Sequence, residues 1–292
     1  MKNKGYWLVL MAACLWGTNG TAQALAPPGA QPIIIGTLRI ILGGAALLAF
    51  AAWRKTLRDG RHWAILPTLI AAVSIAAYQI FFFAGVARTG VAVGTIVGIG
   101  STPILAGPIG YLVRRERPSR YWAIATCLGI IGCALLIVAG EQIHINLLGI
   151  FLAICAGGSY AVFTTLSKGL IEEHAPEAVM AVTFSIGAVL VAPLLLTADL
   201  SWLAEASGML IILHLGVITA AVGYTLYARG LRLIPVSTTA TLTLAEPLTA
   251  GLLGVFFLHE PLTGSAFLGI LLIFSGLVVL SAERVEPSPQ AA

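Results

Sequence analysis

The strongest constraint in this chain is a run length. Apolar stretches of about 20 residues recur ten times, at roughly 5–24, 33–53, 63–86, 91–113, 120–139, 147–168, 177–197, 208–228, 236–257 and 262–281. One helix needs about 20 mostly apolar residues to cross the hydrocarbon of a bilayer. Short segments rich in turn formers or charge separate the stretches: "APPGAQP" (26–32), "RKTLRDGRH" (54–62), "RRERPSR" (114–120), "GEQIHIN" (140–146) and "EEHAPE" (172–177). The chain is 59% hydrophobic and 10% charged, against about 25% charged for an ordinary soluble domain. No water-soluble fold of this length hides so much apolar surface. The expected fold class is all-α and integral to the membrane, with ten transmembrane helices and no inserted soluble domain. The first stretch follows Lys2 and Lys4 and ends in a small-residue "AQA" (22–24), as a signal peptide does. It is longer than the usual apolar region of about 7–15 residues, so it reads as a retained span.

Charge sets the orientation. Of the 16 Lys and Arg residues, all but Arg39 and Arg88 fall at the span ends on the N-terminal side or in the tail. Lys and Arg accumulate on the cytoplasmic side of membrane proteins, so both termini are expected in the cytoplasm, with the protein in the cell (inner) membrane. The tail "ERVEPSPQAA" (283–292) is polar and Pro-rich and reads as disordered. Cys14, Cys127, Cys133 and Cys155 match no metal or redox spacing and read as small buried hydrophobes.

The chain also repeats itself at an offset of 144 residues. Gly5 matches Gly149, Arg88 matches Arg232, Pro103 matches Pro247, Glu116 matches Glu260 and Gly132 matches Gly276. The rare residues agree without gaps, which marks a duplication. The expected units are 1–144 and 145–282, five spans each, followed by the tail 283–292. Five is odd, so the second unit enters the membrane from the opposite side, and the architecture is a 5+5 inverted-topology repeat. The basic cluster after span 4 has no counterpart after span 9, where "LHEPLTG" (258–264) carries no Lys or Arg. An inverted mate requires that difference.

Each unit carries a proline within its fourth span and a glutamate thirteen residues later. "STPILAGPIGYLVRRERP" (101–118) and "AEPLTAGLLGVFFLHEP" (245–261) resemble the signature of the EamA-type drug/metabolite transporter superfamily. Within it, the aromatic residues of the spans are similar to those of the YddG-like aromatic amino acid exporters. The resemblance covers nearly the whole chain. It implies export of amino acids or other small metabolites by alternating access, without ATP.

Transport needs a polar cavity between the units, and buried polar or ionisable groups mark it. Glu246 is the only carboxylate in the middle of a span, and its mate is Thr102. It is a candidate to bind a substrate ammonium, to carry a coupling proton, or to tie helices together. Pro103 and Pro247 each free the carbonyl four residues back, those of Ile99 and Thr243. They are expected to kink a helix pair beside the path and to act as hinges. Trp16, Tyr78, Tyr160 and Tyr224 are candidates for an aromatic cavity wall, with apolar packing as the alternative. Asn19, Gln79, Ser101 and Thr243 offer hydrogen bonds to a substrate, or helix–helix contacts. Arg39 either binds a carboxylate or, the favoured reading, snorkels outward or is structurally paired. His214 either titrates near neutral pH or, the favoured reading, packs as a satisfied histidine. Glu116 and Glu260 end spans 4 and 9 on opposite faces. With Arg88 and Arg232 they are candidates for closing each end.

An enzyme is not expected. His62, His144, His174, His214 and His259 are scattered, Asp59 and Asp199 lie on opposite sides, and no phosphate-cradling glycine motif occurs. No metal or cofactor is expected. The expected partners are a small-molecule substrate and the lipid bilayer, with no nucleic acid. Ten spans complete a pathway in one chain, so a dimer is not required. The favoured function is export of aromatic or other small amphipathic amino acids. The alternative is a multidrug or quaternary-cation exporter, because an acid within aromatic walls also suits a cation.

Overall fold

The computed structural model describes residues 2–57, 62–138, 146–257 and 263–282. Among them the regular structure is helical: α1 (Lys2–Ala24), α2 (Pro32–Trp53), α3 (Ile65–Thr89), α4 (Val91–Arg114), α5 (Arg120–Val138), α6 (Leu147–Glu173), α7 (Pro176–Val191), α8 (Ala206–Leu213), α9 (Gly223–Leu231), α10 (Val236–Leu242), α11 (Ala245–Phe257) and α12 (Gly264–Ser281). A nine-residue π-helical run, His214–Val222, joins α8 to α9 in one rod, Ala206–Leu231. Helices α10 and α11 form a second rod, Val236–Phe257. Each predicted stretch is therefore occupied by a helix or rod. Eight of these are long and apolar enough to cross a membrane. The other two are α1, which ends in the polar "TNGTAQA", and α5, whose apolar part is the shorter Arg120–Leu136. The tail 283–292 and Glu260 lie outside the described residues.

Local chemistry sets the helix ends. Pro32 and Pro176 sit in the first turns of α2 and α7, where a missing N–H is harmless. Asn146 and Thr263 cap α6 and α12 through the N–H groups of Gly149 and Ala266. Gly90, at φ +83°, permits the sharp corner between α3 and α4. The bundle is apolar outside as well as inside: Leu196, Phe256 and Leu147 are among its most exposed side chains. Cys14 and Cys127 are exposed too, so only part of the cysteine expectation holds. Buried threonines return their hydroxyls to the backbone one turn back, as Thr37 does to Ile33, Thr165 to Ala161 and Thr183 to Val179.

Several helix pairs pack alike when the halves are exchanged. Helix α3 packs on α6 as the α8–α9 rod packs on α1; α4 packs on α6 as α11 packs on α1; α2 meets α7, and α5 meets α12. The symmetry reaches single glycines. A Cβ at Gly132 would lie 2.6 Å from Gly269 O, and one at Gly276, its mate at offset 144, 2.9 Å from Ala125 O. A Cβ at Gly43 would lie 3.2 Å from Gly216 O, and one at Gly187, again its mate, 3.5 Å from Ala72 O. Small residues let these backbones touch. Gly132→Val is expected to cost about 1–3 kcal/mol through overpacking, lowering the thermal unfolding midpoint in detergent by about 2–4 °C per kcal/mol. Gly264→Ala, with nothing within 4 Å, is the control that leaves it unchanged.

The prolines do not behave as a matched pair. Helix α4 runs unbroken through Pro103 and Pro108. The second rod breaks at Thr243–Leu244, just before Glu246 and Pro247. Pro247 cannot serve Thr243 O, and the Glu246 N–H takes that carbonyl instead at 2.9 Å.

Candidate substrate cavity

A cavity of about 870 Å³ opens between the halves. Its walls are the C-terminal parts of α1, α3 and α5, most of the length of α11, and the N-terminal parts of α2, α4 and α12, and it opens at the end of the bundle opposite the N-terminus. It narrows to a small space lined by Trp16, Arg39, Tyr78, Ile99, Thr102, Tyr160, Tyr224, Thr243 and Glu246. Close helix contacts deliver these groups. Gly17 lets α11 reach α1, since a Cβ there would lie 2.8 Å from Glu246 O. Glu246 is thereby set beside Trp16. Gly36 makes room for Gln79, whose Nε2 would lie 1.6 Å from an added Cβ.

The aromatic residues form one cluster. The Trp16 ring is 4.7 Å from Tyr224, 5.2 Å from Tyr227 and 6.5 Å edge-on from Tyr160, while Tyr78 is 5.1 Å from Tyr160. The indole N–H of Trp16 donates to Thr219 O at 2.9 Å, which leaves its ring for the cavity. Towards the N-terminal end Tyr227 and Phe163, both 0% exposed, fill the core, and Tyr227 bonds Thr164 at 2.7 Å.

Of the sequence candidates, Trp16, Tyr78, Tyr160, Tyr224, Thr243 and Glu246 line the narrow space, while Asn19, Gln79 and Pro247 line the wider part. Asn19 Oδ1 is buried with no partner among the described residues. Ser101 is not among the lining residues. Its hydroxyl donates to Gly98 O, and it is wedged against Gly157, where a Cβ would lie 2.0 Å from Ser101 Oγ. One position on, Thr102 faces the narrow space. Of the readings of Arg39, snorkelling is the one that fails. The side chain lines the cavity rather than snorkelling away from it, and its Nε donates to Thr219 Oγ1 at 3.2 Å. Arg39 and Glu246 are the only charged side chains among the described lining residues. Depth in the span is a weak sign of Arg39; its rotation about α2 and its distant partner leave none in the sequence.

Charged groups link the helices at the opposite end. Glu116 Oε2 accepts the Val236 N–H at 2.7 Å, and Oε1 meets Lys168 Nζ at 3.2 Å and Arg114 Nε at 3.3 Å. Arg114 also pairs with Glu172. Glu177 lies 4.0 Å from Arg54 and 3.6 Å from Arg229. The N-terminus belongs to this end, because Gly5 packs on Leu233 and Ile234. Arg88 turns back on its own helix, donating to Ala84 O, and Arg232 is exposed at the end of α9.

Similarity to known proteins fits this geometry. The EamA-like transporter family matches the chain twice, over residues 3–138 and 147–282. The chain belongs to that family. It is accordingly a multi-pass membrane transporter of the drug/metabolite type, acting on a small molecule in a lipid environment, and not an enzyme. This EamA-like transporter is 44% identical over 294 residues to the "Uncharacterized transporter YwfM" of Bacillus subtilis, covering 100% of this chain and 99% of that one. It is 29% identical over 273 residues to the threonine/homoserine exporter RhtA of Salmonella typhimurium, covering 92% of this chain and 87% of the exporter. One solved crystal structure superposes with a TM-score of 0.84 at 20% identity, covering 98% of this chain and 100% of that one, a likeness of fold.

Proposed function

We propose that this transporter exports neutral amino acids as zwitterions, by alternating access, across the inner membrane. One observation carries the reading: a single positive and a single negative side chain, Arg39 and Glu246, line one narrow space beside an aromatic wall. An α-amino acid presents a carboxylate and an ammonium. Guanidinium is the natural partner of the first, offering paired donors in a planar fork, and a carboxylate is the partner of the second. Asn19 Oδ1 adds an unpartnered acceptor higher in the cavity. Tyr78, Tyr160, Tyr224 and Trp16 then face the side chain, whether aromatic or small. RhtA, a relative, is named for threonine and homoserine, which supports the same class.

The architecture proposed with it is ten spans in two inverted five-helix units, 1–144 and 145–282, with both termini cytoplasmic. The exchange-symmetric packing and the twofold family match support the duplication. In that orientation the cavity faces outwards and the Glu116 cluster closes the cytoplasmic end. Alternating access then consists of opening that cluster while the outer cavity closes around the same site.

The test is flux from liposomes holding the purified protein, without ATP, for labelled L-threonine, L-homoserine, L-phenylalanine and a lipophilic quaternary ammonium. The reading expects saturable amino acid flux, with the quaternary cation moved poorly because Arg39 repels it. Flux of the cation alone would replace the reading with that of a cation extruder.

A further inference from the structure

The run His214–Val222 winds as a π-helix, a form that recurs at functional sites. Thr219 lies within it and is 0% exposed. Its hydroxyl donates to Leu215 O at 2.7 Å and accepts from Arg39 Nε at 3.2 Å. The hydroxyl has one proton, and Leu215 takes it, so its lone pairs are what Arg39 meets. The Thr219 carbonyl accepts the Trp16 indole N–H at 2.9 Å. The wide winding makes room for that bond. In an α-helix the Gly223 N–H would serve Thr219 O; here it reaches Ile218 O and Ala220 O. Gly223 also seats the indole, since a Cβ there would lie 2.7 Å from Trp16 Nε1. The device is not scaffold shared by the two halves. At offset 144 Thr219 is matched by Ile75 and Arg39 by Thr183, which form no such pair.

We propose that Thr219 is the positioning residue of the cavity, its hydroxyl aiming the Arg39 guanidinium at the substrate carboxylate, while the main-chain carbonyl of the same π-helical turn anchors the Trp16 indole. This rests on the reading that Arg39 binds the carboxylate. Only the other guanidinium nitrogens then remain for the substrate, in one fixed orientation, because Nε is committed to Thr219.

The test uses full-length protein in liposomes and labelled L-threonine and L-phenylalanine. Thr219→Val keeps the shape and removes the oxygen. It is expected to raise the half-saturation concentration at least fivefold, with the maximal rate within twofold. Thr219→Ser restores the oxygen and is expected within twofold of the unaltered protein. Inhibition by L-threoninamide, which keeps the ammonium and lacks the carboxylate, is expected to be unchanged by Thr219→Val. If Thr219→Val fails to fold, Thr219→Ala, which adds no bulk, carries the same expectations. Half-saturation within twofold of unaltered in the valine or alanine variant overturns the proposal, as does an equal loss for the amide, which marks a merely structural role. Arg39→Gln separates the two ideas. If it is inactive while Thr219→Val is normal, only the positioning falls. If it transports normally, or the unaltered protein moves neither amino acid, the zwitterion reading falls and this inference with it.

Discussion

Arg39→Gln is expected to reduce amino acid flux about 100-fold and to turn the cavity towards cations. Arg39 is half-buried; its Nε bonds Thr219, and among the described residues no hydrogen bond is made by its two Nη atoms. They are available to a carboxylate in a site walled by Trp16, Tyr78, Tyr160 and Tyr224. Removing one partner of a desolvated charge pair costs about 2–5 kcal/mol, and each 1.4 kcal/mol is tenfold. Arg39→Lys keeps the charge but loses the planar fork, so an intermediate loss, roughly tenfold, is expected. Arg39→Gln leaves Glu246 alone among aromatic rings, an arrangement that suits organic cations. Amides and quaternary ammonium ions should therefore compete better in this variant than in the unaltered protein. Glu246→Gln should do the reverse, losing the ammonium contact. Equal losses of both ligand classes in both variants would argue that the two residues serve folding instead.

Glu116→Ala is expected to open the N-terminal end of the bundle. This carboxylate joins three elements: α4 through Arg114, α6 through Lys168 and the start of α10 through the Val236 N–H. Removing one member of a buried ion pair costs about 3–5 kcal/mol. The Glu116 side chain is 20% exposed and that of Lys168 10%, which places the loss near the lower end. A shift of about 3 kcal/mol between closed and open forms is about 100-fold in population. The readout is a cysteine at Thr164, a fully buried position beside Tyr227, in a background lacking the natural cysteines. Thr164→Cys should react with a membrane-impermeant thiol reagent far faster once Glu116 is alanine. Unchanged labelling would show that the cluster staples helix ends without governing access.

Much of the architecture is legible in the sequence itself. Run lengths locate each long helix or rod, and eight of these have the length and apolar composition that the hydrocarbon thickness demands. The offset of 144 pairs positions that make like contacts, such as Gly132 on Gly269 and Gly276 on Ala125. Glu246 stands out because ionisable groups are rare inside such spans, and the four aromatics because each carries a polar N–H or O–H on an apolar ring. The misses share a cause: rotation about a helix axis. Ser101 and Thr102 are neighbours of similar chemistry, yet only Thr102 faces the cavity. For Arg39 the snorkelling reading fails because depth along α2 is visible in a sequence, while its facing direction and the identity of its partner, Thr219, 180 positions away, are not. The π-helical winding that presents Thr219 leaves no mark in an apolar pattern. Matched prolines predict matched kinks at Pro103 and Pro247, but the break falls at Thr243–Leu244 in one half only.

The claim at the centre is that one substrate carries both charges into the space between Arg39 and Glu246. Its most direct test is competition against labelled L-threonine and L-phenylalanine flux, in liposomes, by three analogues of each: the amino acid, its amide and its 2-hydroxy acid. The amide lacks the carboxylate and the hydroxy acid lacks the ammonium. The account predicts strong inhibition by the amino acid and at least tenfold weaker inhibition by either analogue. An amide that inhibits as well as the amino acid would contradict it, leaving Arg39 without a role in recognition.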